Sequence, residues 1–199
     1  MHGGGVVKIY GDSISGNCLK AMWVADYLGL AYDWIEVDIM AGESRTPAYM
    51  AMNPAGQVPV LIREDGRPLA QSNAIILHLA EGSDLIPADA YQRARMLEWM
   101  FWEQYSHEPY VAVARFQVKY ESKPVADLDP TLVQHGKHAL QRLEDALATS
   151  MFLVGEQVSL ADVALVAYTR MAGEGGFSLG DYPEVVAWIA RVERRLRIP

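Results

Sequence analysis

The sequence predicts a small α/β domain followed by an all-helical domain. Three observations carry that prediction. Short β-rich runs alternate with helical segments up to residue 81. A turn-rich stretch, Gly82-Ser83-Asp84-Leu85-Ile86-Pro87, then interrupts the pattern. Every long segment after it repeats its apolar residues at helical spacing. With 199 residues, 51% of them apolar, the chain can bury a sizeable core in one or two domains.

The elements of the first part follow in order. Val6-Val7-Lys8-Ile9-Tyr10 is a β-rich run ended by Gly11-Asp12. Asn17 to Leu28 carries good helix formers and stops at Gly29, a residue suited to the left-handed conformation after a helix. Tyr32 to Val37 partly alternates apolar and polar residues and reads as a second strand. Pro47 to Met52 reads as a short helix with proline in its first turn. Val60-Leu61-Ile62, the turn Asp65-Gly66-Arg67 and Pro68-Leu69-Ala70 make a hairpin, and Ser72 to Ala80 closes the unit as a helix. The order βαβ-α-ββα fits a small mixed sheet, and it fits the thioredoxin arrangement best. The expected boundaries are residues 1–81 for this domain, 82–87 for the linker and 88–199 for the helical domain.

In the helical part, Ala90 to about Tyr105 is the first long helix, and Pro109 is expected to kink or end it. Thr131 to Leu147 places Leu132, Ala139, Leu140, Leu143 and Leu147 on one face. Ser159-Leu160-Ala161-Asp162 resembles a capping box with Asp in place of Glu, opening a helix that packs Leu160, Val163, Ala164, Ala167 and Met171. Pro183 starts the last helix, whose core stripe is Val185, Trp188, Ile189, Val192 and Leu196.

Composition excludes several functions. The net charge of −8 (17 basic against 25 acidic residues) argues against nucleic acid, whose affinity depends on neutralising phosphates. No run of 18 apolar residues suggests a membrane span. The single cysteine, Cys18, excludes an internal disulfide and gives no support to a zinc site, which fits a reducing cytoplasm; no metal is expected. Met1-His2-Gly3-Gly4-Gly5 lacks the apolar centre of a signal peptide and reads as a flexible leader.

The segment Asn53-Pro54-Ala55-Gly56-Gln57-Val58-Pro59-Val60-Leu61 carries most of the chemistry. Pro59 cannot donate to a ladder, so it belongs at a strand start, a bulge or an edge. An X-Pro bond adopts the cis form cheaply, and a cis bond here would turn the Val58 backbone outward to pair with an extended peptide. Ser72 caps a helix whose first N–H groups and dipole favour an anion. Together these point to a small, extended, anionic peptide ligand. Between the first strand and first helix, Ser15-Gly16-Asn17-Cys18 has the spacing of a Cys-x-x-Cys motif with Ser in the leading place. A serine cannot exchange disulfides, but its hydroxyl can donate a hydrogen bond to a thiolate that a ligand brings.

With these motifs in this order, the chain resembles the cytosolic glutathione transferases over nearly its whole length. It is similar in particular to the serine-using theta, zeta and delta classes, of bacterial type. The resemblance implies that Ser15 is the catalytic residue, stabilising the thiolate of glutathione for attack on small hydrophobic electrophiles; Ser13 is the alternative, since loop registers slip by one or two. It implies that Ser72 and Gln71 receive the γ-glutamyl end, where Gln replaces the commoner Glu. Val58, held by Pro59, pairs with the cysteinyl unit. Near the glycyl carboxylate, where the family often carries His or Lys, this chain has Ser44, Arg45 and Gln57, and Arg45 is the charged anchor available. Cys18 is expected to face inward and be inert, and Asp162 to serve folding. By analogy the first long helix lines the electrophile pocket, with Tyr105, His107, Tyr110 and Arg115 as candidates and Trp99 and Met100 assigned to core or subunit contact. A homodimer, glutathione as co-substrate and no membrane or nucleic-acid partner are implied. Glutathione-dependent peroxide reduction or isomerisation are alternatives, as is a non-catalytic binding or regulatory role.

Overall fold

The computed structural model describes residues 6–198, so the expected leader lies outside the described residues. The chain divides into two compact units, with the boundary between Ser83 and Asp84.

The first unit holds β1 (Val7–Gly11), α1 (Gly16–Tyr27), β2 (Tyr32–Glu36), α2 (Pro47–Met52), β3 (Val60–Ile62), β4 (Pro68–Ala70) and α3 (Ser72–Leu79). The strands form one sheet in the order β2-β1-β3-β4, with β1 parallel to β2 and antiparallel to β3, and β3 antiparallel to β4. Side chains alternate across it. Tyr10, Val60 and Ile62 pack with Val37, Tyr49 and Met52 on the α2 face. Ile9 and Leu61 are buried on the opposite face, where α1 and α3 pack on each other and on the strands. Thr46 starts α2 by accepting the Tyr49 N–H on its hydroxyl, with Pro47 in the first turn. Gly29, at φ 64°, ends α1 in the left-handed conformation anticipated for it.

The second unit is helical: α4 (Ala90–Trp102), α5 (Glu108–Lys119), α6 (Pro130–Leu147), α7 (Leu160–Thr169) and α8 (Pro183–Leu196). All ten residues of α7 are buried, as expected of a helix apolar on every side. Helices α4, α5 and α8 pack against it, and α6 and α8 bury one stripe each. That stripe is Val185, Trp188, Ile189, Val192 and Leu196 in α8, as the spacing implied. In α6 it is Gly136, Ala139, Leu140, Leu143 and Leu147. Leu132 is only half-buried. Gly136 holds its place because the Phe177 ring lies where a Cβ would sit, 2.3 Å from the position it would take.

Two features differ from the expectation. The first long helix does not stop near Tyr105: it passes through a π-helical turn at Glu103–His107 straight into α5, with Pro109 in that helix's first turn. Proline removes an N–H from the α-helical ladder, and widening the preceding turn lets the chain stay helical without that bond. In α7 the helix ends at Thr169, so Met171 stands beyond it, half-exposed, in the turn that leads to the glycines at 173, 175 and 176.

Candidate functional site

Strand register brings three separate segments to one end of the first sheet. Tyr10 pairs with Val60 and Val60 with Ala70. The loop leaving β1, the Val58–Pro59 approach to β3 and the Gln71–Ser72 exit from β4 therefore stand side by side. The Val58–Pro59 bond is cis, and β3 begins only at Val60, so Val58 lies outside the ladder.

The turn before it is tied down from three directions. Asn53 Nδ2 and the Tyr49 hydroxyl both donate to the Gln57 carbonyl, at 2.8 and 2.9 Å. The Arg45 guanidinium donates to the Ala55 carbonyl at 3.0 Å and lies over Gly56, where a Cβ would meet it at 2.6 Å. Gly56 has φ 60°, the left-handed region that favours glycine, and a side chain there would also displace Arg45 from the turn. Arg45 itself is exposed, Ser44 beside it is buried, and the Gln57 side chain is exposed.

At the β1–α1 junction, Ser15 occupies the N-cap position in extended conformation (φ −79°, ψ 124°), but its side chain makes no capping bond. Its backbone anchors the turn: its N–H donates to the Asp12 carbonyl, and its own carbonyl accepts from Cys18 and Leu19, all at 3.0 Å. The hydroxyl lies instead against the Cys18 thiol. Cys18 is buried and pushed up to about 12, chiefly by burial, which the Asp12 N–H at 3.3 Å and Ser15 oppose. The thiol is inert at neutral pH, as anticipated. Ser13 is exposed and its N–H donates to Glu36 Oε1 at 2.9 Å. Trp34 Nε1 donates to the other oxygen of Glu36 at 2.7 Å. Burial raises the Glu36 carboxyl, but these donors outweigh it and hold the carboxyl below its ordinary value. Glu36 thus clamps the loop that carries Ser13.

At the third segment, Gln71 has φ 72° and ψ 114°, a strained conformation for a residue with a side chain. Ser72, expected to cap α3, is instead its first residue, with Gln71 at the N-cap; buried, it donates its hydroxyl to Asn17 Oδ1 at 2.9 Å and caps nothing. The same Oδ1 accepts from Lys20 Nζ at 2.8 Å. Asn17 and Lys20 were not read as site residues. The one available signal was a lysine among the inward positions Cys18, Ala21 and Val24 of α1.

The residues expected at the electrophile are held differently from one another. Tyr105 is 84% exposed. The Tyr110 ring is half-buried and stacks on His135 at 4.7 Å. His107, a candidate for the pocket, is fully buried: its Nε2 lies 3.0 Å from the Thr169 hydroxyl, which donates to the Leu165 carbonyl. Arg115 is buried and donates to Glu174 at 3.0 Å. Trp99 and Met100 are buried. Among the described residues no group of His, Cys, Asp and Glu side chains is arranged to hold a metal ion, and no helix is long and apolar enough to cross a membrane.

Comparison with known proteins adds a family to this geometry. Residues 14–81 match the family model of the glutathione S-transferase N-terminal domain, and residues 101–195 that of the C-terminal domain. The chain belongs to the glutathione S-transferase family. Within that family it is 30% identical to glutathione S-transferase 3 of Zea mays, over 95% of this chain and 90% of that protein. The crystal structure of a glutathione S-transferase from Pseudomonas fluorescens is 47% identical, covers 94% of each chain and superposes with a TM-score of 0.91. Protein URE2 of Eremothecium gossypii is also similar, 27% identical over 90% of this chain and 62% of its own. The helix-opening Ser159 and Asp162 lie in the matched C-terminal domain. Asp162 accepts from the Ser159 N–H at 2.9 Å, the Leu153 N–H at 3.0 Å and Trp188 Nε1 at 2.8 Å, joining the start of α7 to α8 and the preceding loop.

Proposed function

We propose that this glutathione S-transferase binds glutathione at the end of the first sheet and activates its thiol at Ser15 for attack on small hydrophobic electrophiles. The observation that carries the reading is the convergence set by the register Tyr10–Val60–Ala70, which brings the loop of Ser15, Val58–Pro59 and Gln71–Ser72 to one end of the sheet. Each supplies what one part of the tripeptide needs. The first turn of α3 offers N–H groups to the γ-glutamyl carboxylate, with Gln71 beside it. The Val58 backbone offers a strand-like partner to the cysteinyl unit. Arg45, with Gln57 near it, offers charge to the glycyl carboxylate while one of its nitrogens braces the turn.

The chemical work is deprotonation. A free thiol with pKa about 8.5 is only a few per cent thiolate at pH 7. A shift of about two units downward needs roughly 2.7 kcal/mol of preference for the thiolate. A hydrogen bond from Ser15, worth about 1.5–3 kcal/mol to a charged acceptor, and the α1 terminus, worth about 0.3–1, together supply it. The Ser15 hydroxyl is not consumed by capping, so it remains available to turn from Cys18 to a ligand sulfur. For the electrophile we retain Tyr105 and Tyr110, whereas His107 and Arg115 are committed to Thr169 and Glu174. The cytoplasmic, homodimeric, detoxifying enzyme implied by the resemblance completes the reading.

The test is direct. Glutathione should bind at micromolar to millimolar concentration, and the absorbance of bound thiolate should titrate well below pH 8.5. Activity with chlorodinitrobenzene, an organic hydroperoxide and maleylacetoacetate then separates conjugation from peroxide reduction and isomerisation. Absence of binding at millimolar glutathione refutes the whole reading; binding with an unshifted thiol refutes catalysis.

A further inference from the structure

Lys20 is fully buried in α1, and a lysine so placed is uncommon. Its ammonium has donors only, so the Asn17 atom 2.8 Å away must be the amide oxygen. That settles the orientation of the Asn17 amide by chemistry. It also settles the direction of the next bond: the Ser72 hydroxyl, 2.9 Å from the same oxygen, must donate to it. Both lone pairs of Asn17 Oδ1 are then filled, one from the residue three positions along α1 and one from the first residue of α3, 55 positions away in sequence. The rotamer of Ser72 is fixed by a bond whose geometry Lys20 imposes. A positive charge also stands two hydrogen bonds behind the helix start. Charged hydrogen-bond chains inside a protein polarise one another, and the low local dielectric strengthens each bond.

We propose that Lys20 is a positioning residue for the γ-glutamyl end of glutathione, acting through Asn17 on Ser72. This rests on the glutathione site proposed above. A buried charge replaced together with its hydrogen-bond partners by apolar side chains is often neutral or stabilising for a fold, so fold stability alone does not call for a lysine here. A charge that orients an anion-binding serine does.

The experiment measures binding of S-methylglutathione, which has no thiol and so reports the peptide contacts alone. Lys20→Met should weaken binding about tenfold, the loss expected for one hydrogen bond to a charged group. Lys20→Arg should restore most of it. Ser72→Ala should weaken binding on its own, and the double variant Lys20→Met/Ser72→Ala should bind no more weakly than Ser72→Ala. That non-additivity is the signature of action through Ser72, which general loosening of the fold would not produce. If Lys20→Met does not fold, Asn17→Ala breaks the same relay and carries the same expectation against Ser72→Ala. Binding of Lys20→Met equal to the wild type, or effects that add in full, overturns the proposal and leaves the glutathione site standing. Failure of the wild-type protein to bind S-methylglutathione overturns both.

Discussion

Replacing Ser15 by alanine tests the catalytic reading with little structural disturbance. The residue's backbone is extended (φ −79°, ψ 124°), a conformation open to alanine. The three hydrogen bonds that shape the turn run through its N–H and carbonyl and survive the change. Its side chain caps nothing, so the usual cost of about 1 kcal/mol for losing a cap does not apply. What disappears is the hydroxyl's contact with the Cys18 thiol in the free protein and its bond to a bound thiolate in the complex. At about 1.5–3 kcal/mol, and 1.36 kcal/mol per pKa unit, its loss returns the thiol upward by about 1–2 units. If the wild-type complex titrates near 6.5, the variant should titrate between about 7.5 and 8.5. At pH 6.5 the thiolate fraction then falls from about one half to about a tenth or less, and the rate with it. At pH 9.5 the two proteins should differ far less. The assay is the absorbance of bound thiolate against pH, paired with kcat/KM for chlorodinitrobenzene at the same values. Ser13→Ala is the control, because that side chain is exposed and its loop is held through its N–H by Glu36. An unchanged titration in Ser15→Ala refutes the reasoning, and a shift in Ser13→Ala alone would move the catalytic role to Ser13.

Three further outcomes are expected. Gln71→Gly relieves the positive φ of 72°, so unfolding free energy should stay within about 1 kcal/mol of wild type while KM for glutathione rises; a loss of stability with KM unchanged would make Gln71 structural. Asp162→Ala leaves buried donors at Leu153, Ser159 and Trp188 without their acceptor and should cost about 3–5 kcal/mol in urea unfolding, a loss below about 1 kcal/mol being incompatible with this account. Cys18 has its folded pKa raised from 9.0 to about 12. Its contribution to stability is therefore complete below pH 9 and lost as pH rises towards 12, by about 1.4 kcal/mol per pH unit between those limits. Comparing the pH dependence of unfolding of wild type and Cys18→Ser checks this, since the slopes should diverge only above pH 9.

Local chemistry made much of the fold legible. Prolines and helix-starting residues mark sharp boundaries: the helix at Pro47–Met52 has the limits read from the sequence, and the last helix starts at Pro183 as read. The left-handed turn at Gly29 was equally plain. The junction at Glu103–His107 was not, because Pro109 signals a break and gives no hint that a widened turn can absorb the missing N–H. That is why α5 leaves no mark in the sequence pattern and His107 reads as a candidate for the electrophile pocket although it is buried. In the site, the segments could be recognised one at a time, since Ser15, Val58–Pro59 and Gln71–Ser72 each carry a local signature. Their adjacency depends on the pairing of β1 with β3 and of β3 with β4, which no local pattern records. The bond between Ser72 and Asn17 spans 55 positions, and the orientation of Asn17 depends on a lysine whose burial appears only when α1 packs in the folded unit.

The relation between Ser15 and Cys18 limits which thiol chemistry the site can perform. Disulfide exchange on the protein needs a leading thiolate to form a mixed disulfide and a second thiolate to resolve it. Serine fills the leading place here, so no mixed disulfide forms there. Cys18, held near 12 mainly by burial, is thiolate in only on the order of one molecule in 100,000 at pH 7. Neither position can carry exchange, and the sulfur that reacts must arrive with the ligand. The Ser15 hydroxyl, resting on a protonated neighbour until a thiolate is present, has a stronger acceptor to turn to once one arrives, because hydrogen bonds to ionised groups are roughly twice as strong as neutral ones. In the proposed reaction binding and deprotonation are thereby coupled, since the hydroxyl gains most when the ligand's sulfur is charged. Measured by calorimetry in buffers of different ionisation enthalpy, glutathione binding at neutral pH should therefore release about 0.7–0.8 proton for a shift from about 8.5 to about 6.5, and S-methylglutathione none. Equal proton release for the two ligands would show that the serine does not discriminate the thiolate.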